Sequence, residues 1–257
     1  NNHIDEFLSL ANLGLTSLHM KLLQSVLFQN TSLMTIDLSH NRICDSGAAA
    51  LAASITSPCL SLDDNVLTSK AMQFIANNAN IKMLVVSKNQ IDAQGMQVLS
   101  KSSTCAIESL DVSYNKIGDQ GMVGLARLQF LTSLTVRCNC ISNEGAVAIS
   151  KCKGLLKLDL CNNLVGDAGA VALSEHRTLV SLSLRDNRIE SDGCIALSRS
   201  KILQEVVLAG NSRISEGARR LICIKFKKRS ADIIVDPIGA IQASSGRGSS
   251  AVIVNIK

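Results

Sequence analysis

The chain has 257 residues, of which 46% are hydrophobic and only 2% aromatic, and its formal net charge is +5. No apolar run approaches the roughly 18 residues that a membrane-spanning helix needs, and the start Asn1-Asn2-His3-Ile4-Asp5-Glu6 lacks the basic segment of a signal peptide. Residues 219–257 hold eight Lys/Arg and two Asp/Glu against 18 and 19 elsewhere, so the basicity belongs to the tail and electrostatic nucleic-acid binding by the near-neutral body is not expected.

The absence of an initiating Met leads us to expect sequence upstream of Asn1. The first unit, Leu8-Leu10-Leu13-Leu15, opens a pattern that then repeats with Asn in the place of Leu13. Leu33-Ile36-Leu38-Asn41-Ile43 leads into Gly47-Ala48-Ala49-Ala50-Leu51-Ala52. Leu60-Leu62-Asn65-Leu67 lacks the first leucine, where Ser57 stands before Pro58. Ile81-Leu84-Val86-Asn89-Ile91 is followed by two extra residues near Lys101–Ala106. Regular units follow around Asn115, Asn139, Asn163 and Asn187, and Leu203-Val206-Leu208-Asn211 has its next apolar residue one place late, at Ile214. The eight asparagines are spaced by 24, 24, 26, 24, 24, 24 and 24 residues. A fixed period of this kind marks a tandem array whose units bury their faces only by stacking. With the N-terminal unit the array has nine strand units, and Ile233–Val235 is a candidate closing strand.

One repeat shows the physics. Period-two alternation over Lys157–Cys161 makes a short strand with Leu158 and Leu160 on the buried face. Gly166-Asp167-Ala168-Gly169 is a turn in which Asp is available to cap a helix, and Ala170-Val171-Ala172-Leu173-Ser174 is that helix. The inward-turned Asn amide is expected to bond backbone groups of its turn and of the adjoining repeat, so Asn41, Asn65, Asn89, Asn115, Asn139, Asn163, Asn187 and Asn211 form a structural ladder.

Counting back from each Asn assigns the open face. The position between the strand leucines gives Asp37, Ser61, Val85, Asp111, Thr135, Asp159, Ser183 and Val207. The next outward column runs Ser39, Asp63, Ser87, Ser113, Arg137, Cys161, Arg185 and Ala209. The residue before Asn gives His40, Asp64, Lys88, Tyr114, Cys138, Asn162, Asp186 and Gly210. Tyr114 is the single Tyr, and Tyr and Arg are favoured anchors of binding hot spots. Tyr114, Arg137 and Arg185, flanked by Asp63, Asp64, Lys88 and Asp186, are therefore the candidate protein-binding residues. No catalytic or cofactor site is expected. His40 has no Cys or Asp partner at triad spacing, and Gly246-Arg247-Gly248 lacks the Gly-Lys-Ser/Thr ending of a phosphate loop. Asp37, Asp111 and Asp159 lie on separated rungs, so they keep the sheet soluble and do not converge on a metal. Cys138, Cys140 and Cys161 contain no C-x-x-C pair; Cys138 or Cys161 is a candidate exposed thiol. Cys44, Cys105, Cys152, Cys194 and Cys223 fall in or beside the helical halves and are expected to be buried free thiols, which suits a reducing cytosol.

These residues resemble the leucine-rich repeat family, and within it the ribonuclease-inhibitor-like class. The 24-residue length and the phrase at Gly47–Ala52 and Gly169–Ser174 are similar to the GALA-type repeats of bacterial effectors. The resemblance covers about residues 7–225. It implies an α/β horseshoe with a concave parallel sheet and short convex helices, binding another protein on the concave face. It also implies an effector delivered into a host cell, or the substrate-recognition arm of a ubiquitin ligase whose F-box would lie before Asn1.

The expected organisation is a solenoid over 1–225 and a basic C-terminal cap and tail over 226–257. Arg219, Arg220, Lys225, Lys227, Lys228 and Arg229 surround Leu221-Ile222-Cys223-Ile224. That segment reads as a final amphipathic helix capping the array, with contact to anionic membrane or a nuclear address as the alternatives. Ser244–Ser250 reads as a flexible link, and 251–256 as an edge strand.

Overall fold

The computed structural model describes residues 6–28 and 30–227, and two further strands at 234–235 and 252–254. Nine strands alternate with nine helices across these residues. They run β1 (Glu6–Ser9), α1 (Ser17–Leu27), β2 (Leu33–Asp37), α2 (Asp45–Ala52), β3 (Cys59–Ser61) and α3 (Ser69–Ala76). The middle of the array is β4 (Met83–Val85), α4 (Ala93–Lys101), β5 (Ser109–Asp111), α5 (Gly118–Leu125), β6 (Ser133–Thr135) and α6 (Asn143–Ile149). It continues through β7 (Lys157–Asp159), α7 (Asp167–Ser174), β8 (Ser181–Ser183), α8 (Ser191–Arg199), β9 (Glu205–Val207) and α9 (Glu216–Lys227).

The strands form one parallel sheet in chain order, and equivalent residues face one another: Ile36, Leu60, Leu84, Leu110, Leu134, Leu158, Leu182 and Val206 stack as a column. All are buried, and with the leucines of the helices they form one continuous core. The two extra residues after α4 leave the register intact, since Met83 still pairs with Ser109. They are taken up in the loop, where Ser102 and Thr104 hydroxyls donate to Ala76 O at 2.9 and 3.0 Å. Beyond β9 the expected order is corrected. The strand beside β9 is β11 (Val252–Val254), antiparallel, and β10 (Ile234–Val235) lies outside it.

The asparagine ladder takes the predicted form. Asn115 Oδ1 accepts from Ile91 N at 2.9 Å, and its Nδ2 donates to Val86 O, Val112 O and Ser113 O. Every ladder Asn reaches back in this way to the preceding repeat, from Asn41 on Leu10 O to Asn211 on Leu184 O. Seven are buried and Asn187 is half-buried. Leu13, at the corresponding place in the first unit, is 61% exposed, because an apolar side chain cannot serve those backbone groups.

A second ladder runs four residues after the first. Asp167 does not cap its own helix, whose N-cap is Gly166; its Oδ1 accepts from Glu190 N of the next repeat at 2.7 Å. Asp45 holds Thr68, Asp119 holds Ser142 and Asn143 holds Gly166 in the same way. Ala93 breaks the column, and the next helix, α5, begins irregularly at Gly118 with φ +53°. A third ladder sits before the strands: Asn78 Oδ1 accepts from Asn80 N, His176 Nδ1 from Leu179 N, and Ser200 Oγ from Leu203 N.

The G-A-x-A-L phrase follows from packing. A Cβ on Gly169 would stand 2.9 Å from Ala146 Cβ and 2.6 Å from Val165 Cγ1. Glycine lets α7 lie this close to the helix before it, whereas α3 holds a buried Ala71 at the equivalent place. The last helix is amphipathic as expected, burying Ala218, Ile222 and Phe226. Lys225 Nζ is directed to Ser200 O and Arg220 to Glu216. Lys228 and Arg229 of the basic cluster, and the Ser244–Ser250 link, lie outside the described residues.

Candidate protein-binding surface

Each rung ends its strand in the same way. The residue before each Asn adopts a left-handed conformation, from φ +50° at Lys88 to +56° at His40 and +77° at Gly210. This turns the chain over the end of the strand and lets Asn point inward. It also lifts Asp64, Lys88 and Tyr114 clear of the sheet, with Tyr114 51% exposed. An Asn, Asp or His tolerates this conformation, whereas a bulky Tyr adopts it only because the turn is fixed from both sides.

The other two columns are less open than the alternation implies. The strand-centre column from Asp37 to Val207 is half-buried throughout. In the next column Ser39, Ser87, Ser113, Cys161 and Ala209 are buried, and only Arg137 and Arg185 stand out as exposed. Small residues close that column against the neighbouring rungs, while long cationic side chains grow out of it.

The concave face holds a hollow of about 690 Å³, lined by Phe7, Asp37, Asp63, Val85, Lys88, Asp111, Tyr114 and Arg137 among others. Four of the seven sequence-predicted binding residues meet there: Asp63, Lys88, Tyr114 and Arg137. Asp64, Arg185 and Asp186 do not line it; Arg185 pairs with Asp186 at 3.1 Å on a later rung. Phe7, 59% exposed, was missed, although the signal is the same alternation: Leu8 points inward, so Phe7 points out.

Charges in the hollow are ordered by neighbours across the rungs. Arg137 is held by Asp159 through Nε at 2.8 Å and Nη2 at 2.6 Å. Lys88 Nζ lies 3.5 Å from Asp63. Asp37, Asp111 and Asp159 each accept the backbone N–H two residues on, at 3.0, 2.9 and 2.9 Å, so these recurring carboxylates close the strand end. His40 is not isolated: its Nδ1 is 2.8 Å from Asp64 and its Nε2 is 3.7 Å from Asp63. The pairing spans adjacent rungs and is invisible to local spacing. The Cys138 thiol beside Tyr114 pushes its phenol up.

The thiols are distributed differently from expectation. Cys161 is buried, and burial followed by the Asp159 carboxylate raises its pKa to about 11, so it is not a reactive thiol. Cys152 and Cys194 are buried as expected, but Cys44 is exposed and Cys105 and Cys223 are half-buried. Cys44 stands at the N-cap of α2, with Sγ 2.9 Å from Ser17 Oγ and 3.4 Å from Ser46 Oγ. Those two hydrogen bonds bring its pKa down to about 7. Among the described residues no three His, Cys, Asp or Glu side chains are grouped to hold a metal ion, and no helix is long and apolar enough to cross a membrane.

Comparison with known proteins agrees with this geometry. The Leucine Rich repeat family model matches residues 29–52, 105–126, 127–150 and 175–198. NACHT, LRR and PYD domains-containing protein 14 of Mus musculus is 30% identical over 115 residues, which is 40% of this chain and 12% of that protein. The chain thus spans a small part of that relative's length. Internalin C2 of Listeria monocytogenes superposes with a TM-score of 0.59 at 24% identity, covering 79% of this chain and 80% of that one. The TLR13 chain of a TLR13–ssRNA13 complex gives 0.58 at 20% identity over 80% of this chain and 29% of its own. At these identities the likeness is one of fold. Nine strands in one parallel sheet with helices behind them, the asparagine ladder and the four matched repeats together give this chain the fold of a leucine-rich repeat solenoid.

Proposed function

We propose that the chain is a non-enzymatic interaction module that holds a protein partner on its concave sheet. The observation that carries the reading is the hollow bounded by Phe7 and Tyr114. Two of the chain's six aromatic side chains stand 59% and 51% exposed on a face otherwise built of small and charged residues. Aromatic and Arg side chains around a recess are the anchors that a partner's side chains bury against. Phe7, Tyr114 and Arg137 are the residues assigned to contact, with Asp63 and Lys88 setting the charge. Asp64, Arg185 and Asp186 belong to the rim of the same face.

The test is retention of a partner on the immobilised chain. Tyr114→Ala and Arg137→Glu are expected to weaken capture by about tenfold each, the loss typical of a hot-spot anchor. Capture that survives both substitutions but is lost on altering the convex helices would overturn the reading.

An effector acting in a host cell is supported by the GALA-type phrase, and that phrase has a sufficient cause in helix packing. A ubiquitin-ligase recognition arm is tested by the sequence upstream of Asn1. Membrane docking by the tail is tested by deleting residues 225–229 and measuring liposome binding. In α9, Arg220 and Lys225 already serve internal contacts, which favours the capping role.

A further inference from the structure

The near-neutral charge of the solenoid conceals a segregation, and the convex side carries a second surface in its C-terminal half. Two residues before the buried Leu or Ile of each helix there is an outward position. In α2, α3 and α4 it holds Ala49, Gln73 and Gln97; in α5 to α8 it holds Val123, Val147, Val171 and Ile195. Val147 and Val171 are 38% and 41% exposed. The change begins at α5, after the two-residue insertion.

A cationic ridge runs beside this apolar stripe. Two residues after the same buried Leu or Ile, Ala53 and Asn77 give way to Lys101, Arg127, Lys151 and Arg199, interrupted only by Glu175. Two residues further on, a second column changes from Ser103 and Gln129 to Lys153, Arg177 and Lys201. Arg127, Lys151, Lys153, Arg177 and Arg199 are exposed and form no ion pair among the described residues. Cations near helix C-termini complement the helix dipole. That does not account for the ridge, because α2 and α3 fold without them.

Stripe and ridge meet in a groove of about 850 Å³ between α7 and α8. Val171, Ile195, Ala196 and Ile202 supply its apolar wall, and Arg177, Arg199 and Lys201 outnumber Glu175 and Asp192 around it. We infer that this convex surface binds an acidic amphipathic segment of a protein partner. The exposed apolar side chains line a concave groove between helices, which fits an inserted peptide side chain better than a flat bilayer, whose ligands protrude into it. The spacing also fits. Packed helices lie roughly 10 Å apart, and seven residues of α-helix rise about 10.5 Å. An acidic residue repeated every seven along a bound helix would therefore meet a cation on each successive rung.

The test uses a fluorescein-labelled helical peptide of about 21 residues, long enough to cross three rungs, with Leu at the first and fourth heptad positions and Glu on the flanks. Fluorescence anisotropy is expected to show binding that weakens with salt. It should weaken about tenfold or more in Arg177→Glu/Arg199→Glu, by the cost of opposing charges, and similarly in Val171→Asp. Arg177→Lys/Arg199→Lys should retain binding, and circular-dichroism melts matching wild type establish that the variants fold. The concave variants Tyr114→Ala and Arg137→Glu should leave this affinity unchanged, which separates the two surfaces. Equal affinity for a scrambled peptide, indifference to the double Glu substitution, or Arg177- and Arg199-dependent sedimentation with phosphatidylserine vesicles in place of peptide binding would each overturn the assignment.

Discussion

Replacing Asn115 by Ala tests the ladder at its centre. Four backbone groups lose a bond, but they do not lose equally. Val86 O keeps Asn89 Nδ2 at 3.1 Å, Val112 O keeps Asn139 Nδ2 at 2.9 Å, and Ser113 O keeps Lys88 N at 2.9 Å. The Ile91 N–H, held by Asn115 Oδ1 alone, is left buried with no acceptor. An orphaned buried donor costs about 1–3 kcal/mol, and the lost secondary bonds add about 1 more, for a total of about 2–4 kcal/mol. Urea denaturation gives the free energy, and hydrogen exchange at Ile91 locates it. Asn162→Gly, at an exposed position one place before the ladder whose φ of +54° glycine adopts freely, should change stability by no more than about 0.5 kcal/mol. Asn211→Ala should cost at least as much as the central change, because Leu184 O has no second Asn beneath it. A loss for Asn115→Ala indistinguishable from that of Asn162→Gly, with Ile91 still protected, would refute the reasoning.

Three further outcomes follow from the same geometry. Iodoacetamide should alkylate Cys44 with a half-maximal rate near pH 7, shifted upward by Ser17→Ala, while Cys161 and Cys194, pushed up to about 11 and about 12, react last; mass spectrometry of a pH series decides it, and equal rates for Cys44 and Cys161 would count against it. Burial lowers the His176 pKa from its ordinary 6.5, so its contribution to stability is complete above that value and is lost as pH falls through the lower folded pKa; His176→Asn, which places there the residue found at position 78, should flatten the melting temperature between pH 7 and 5, and an unchanged slope would exclude His176 as the cause. Gly169→Ala should cost about 1–3 kcal/mol by overpacking against Ala146, whereas Gly217→Ala, with open space around its Cβ, should be neutral or stabilise by up to about 1 kcal/mol in thermal melts.

Repetition made much of this protein legible in advance. Each rung repeats the same local problem, so the spacing of the asparagines fixed the strands, the inward leucines and the identity of the residues that flank the open face. The second ladder was legible too, since Asp45, Ser69, Asp119, Asn143, Asp167 and Ser191 recur four places after six of the eight asparagines. Asp167 alone reads as a helix cap, because the direction of a carboxylate is not written in its spacing. Cys44 could not be recognised as the activated thiol, because the hydroxyl that activates it belongs to Ser17 on the preceding rung. His40 with Asp64, and Arg137 with Asp159, are likewise pairs across rungs.

The sequence by itself determined that the chain is a stacked array and which residues hold the stack together, because stacking imposes one period on every unit and the period survives in one dimension. Tertiary structure decided what the period cannot encode. It gathered Phe7, Lys88, Tyr114 and Arg137 into one hollow and sealed the serines between them. It also placed Arg127, Lys151, Lys153, Arg177 and Arg199 along the convex side, away from Asp37, Asp111 and Asp159 of the sheet. A sum of charges over the chain is blind to that separation, because opposite charges on opposite faces cancel in the total and do not cancel in space.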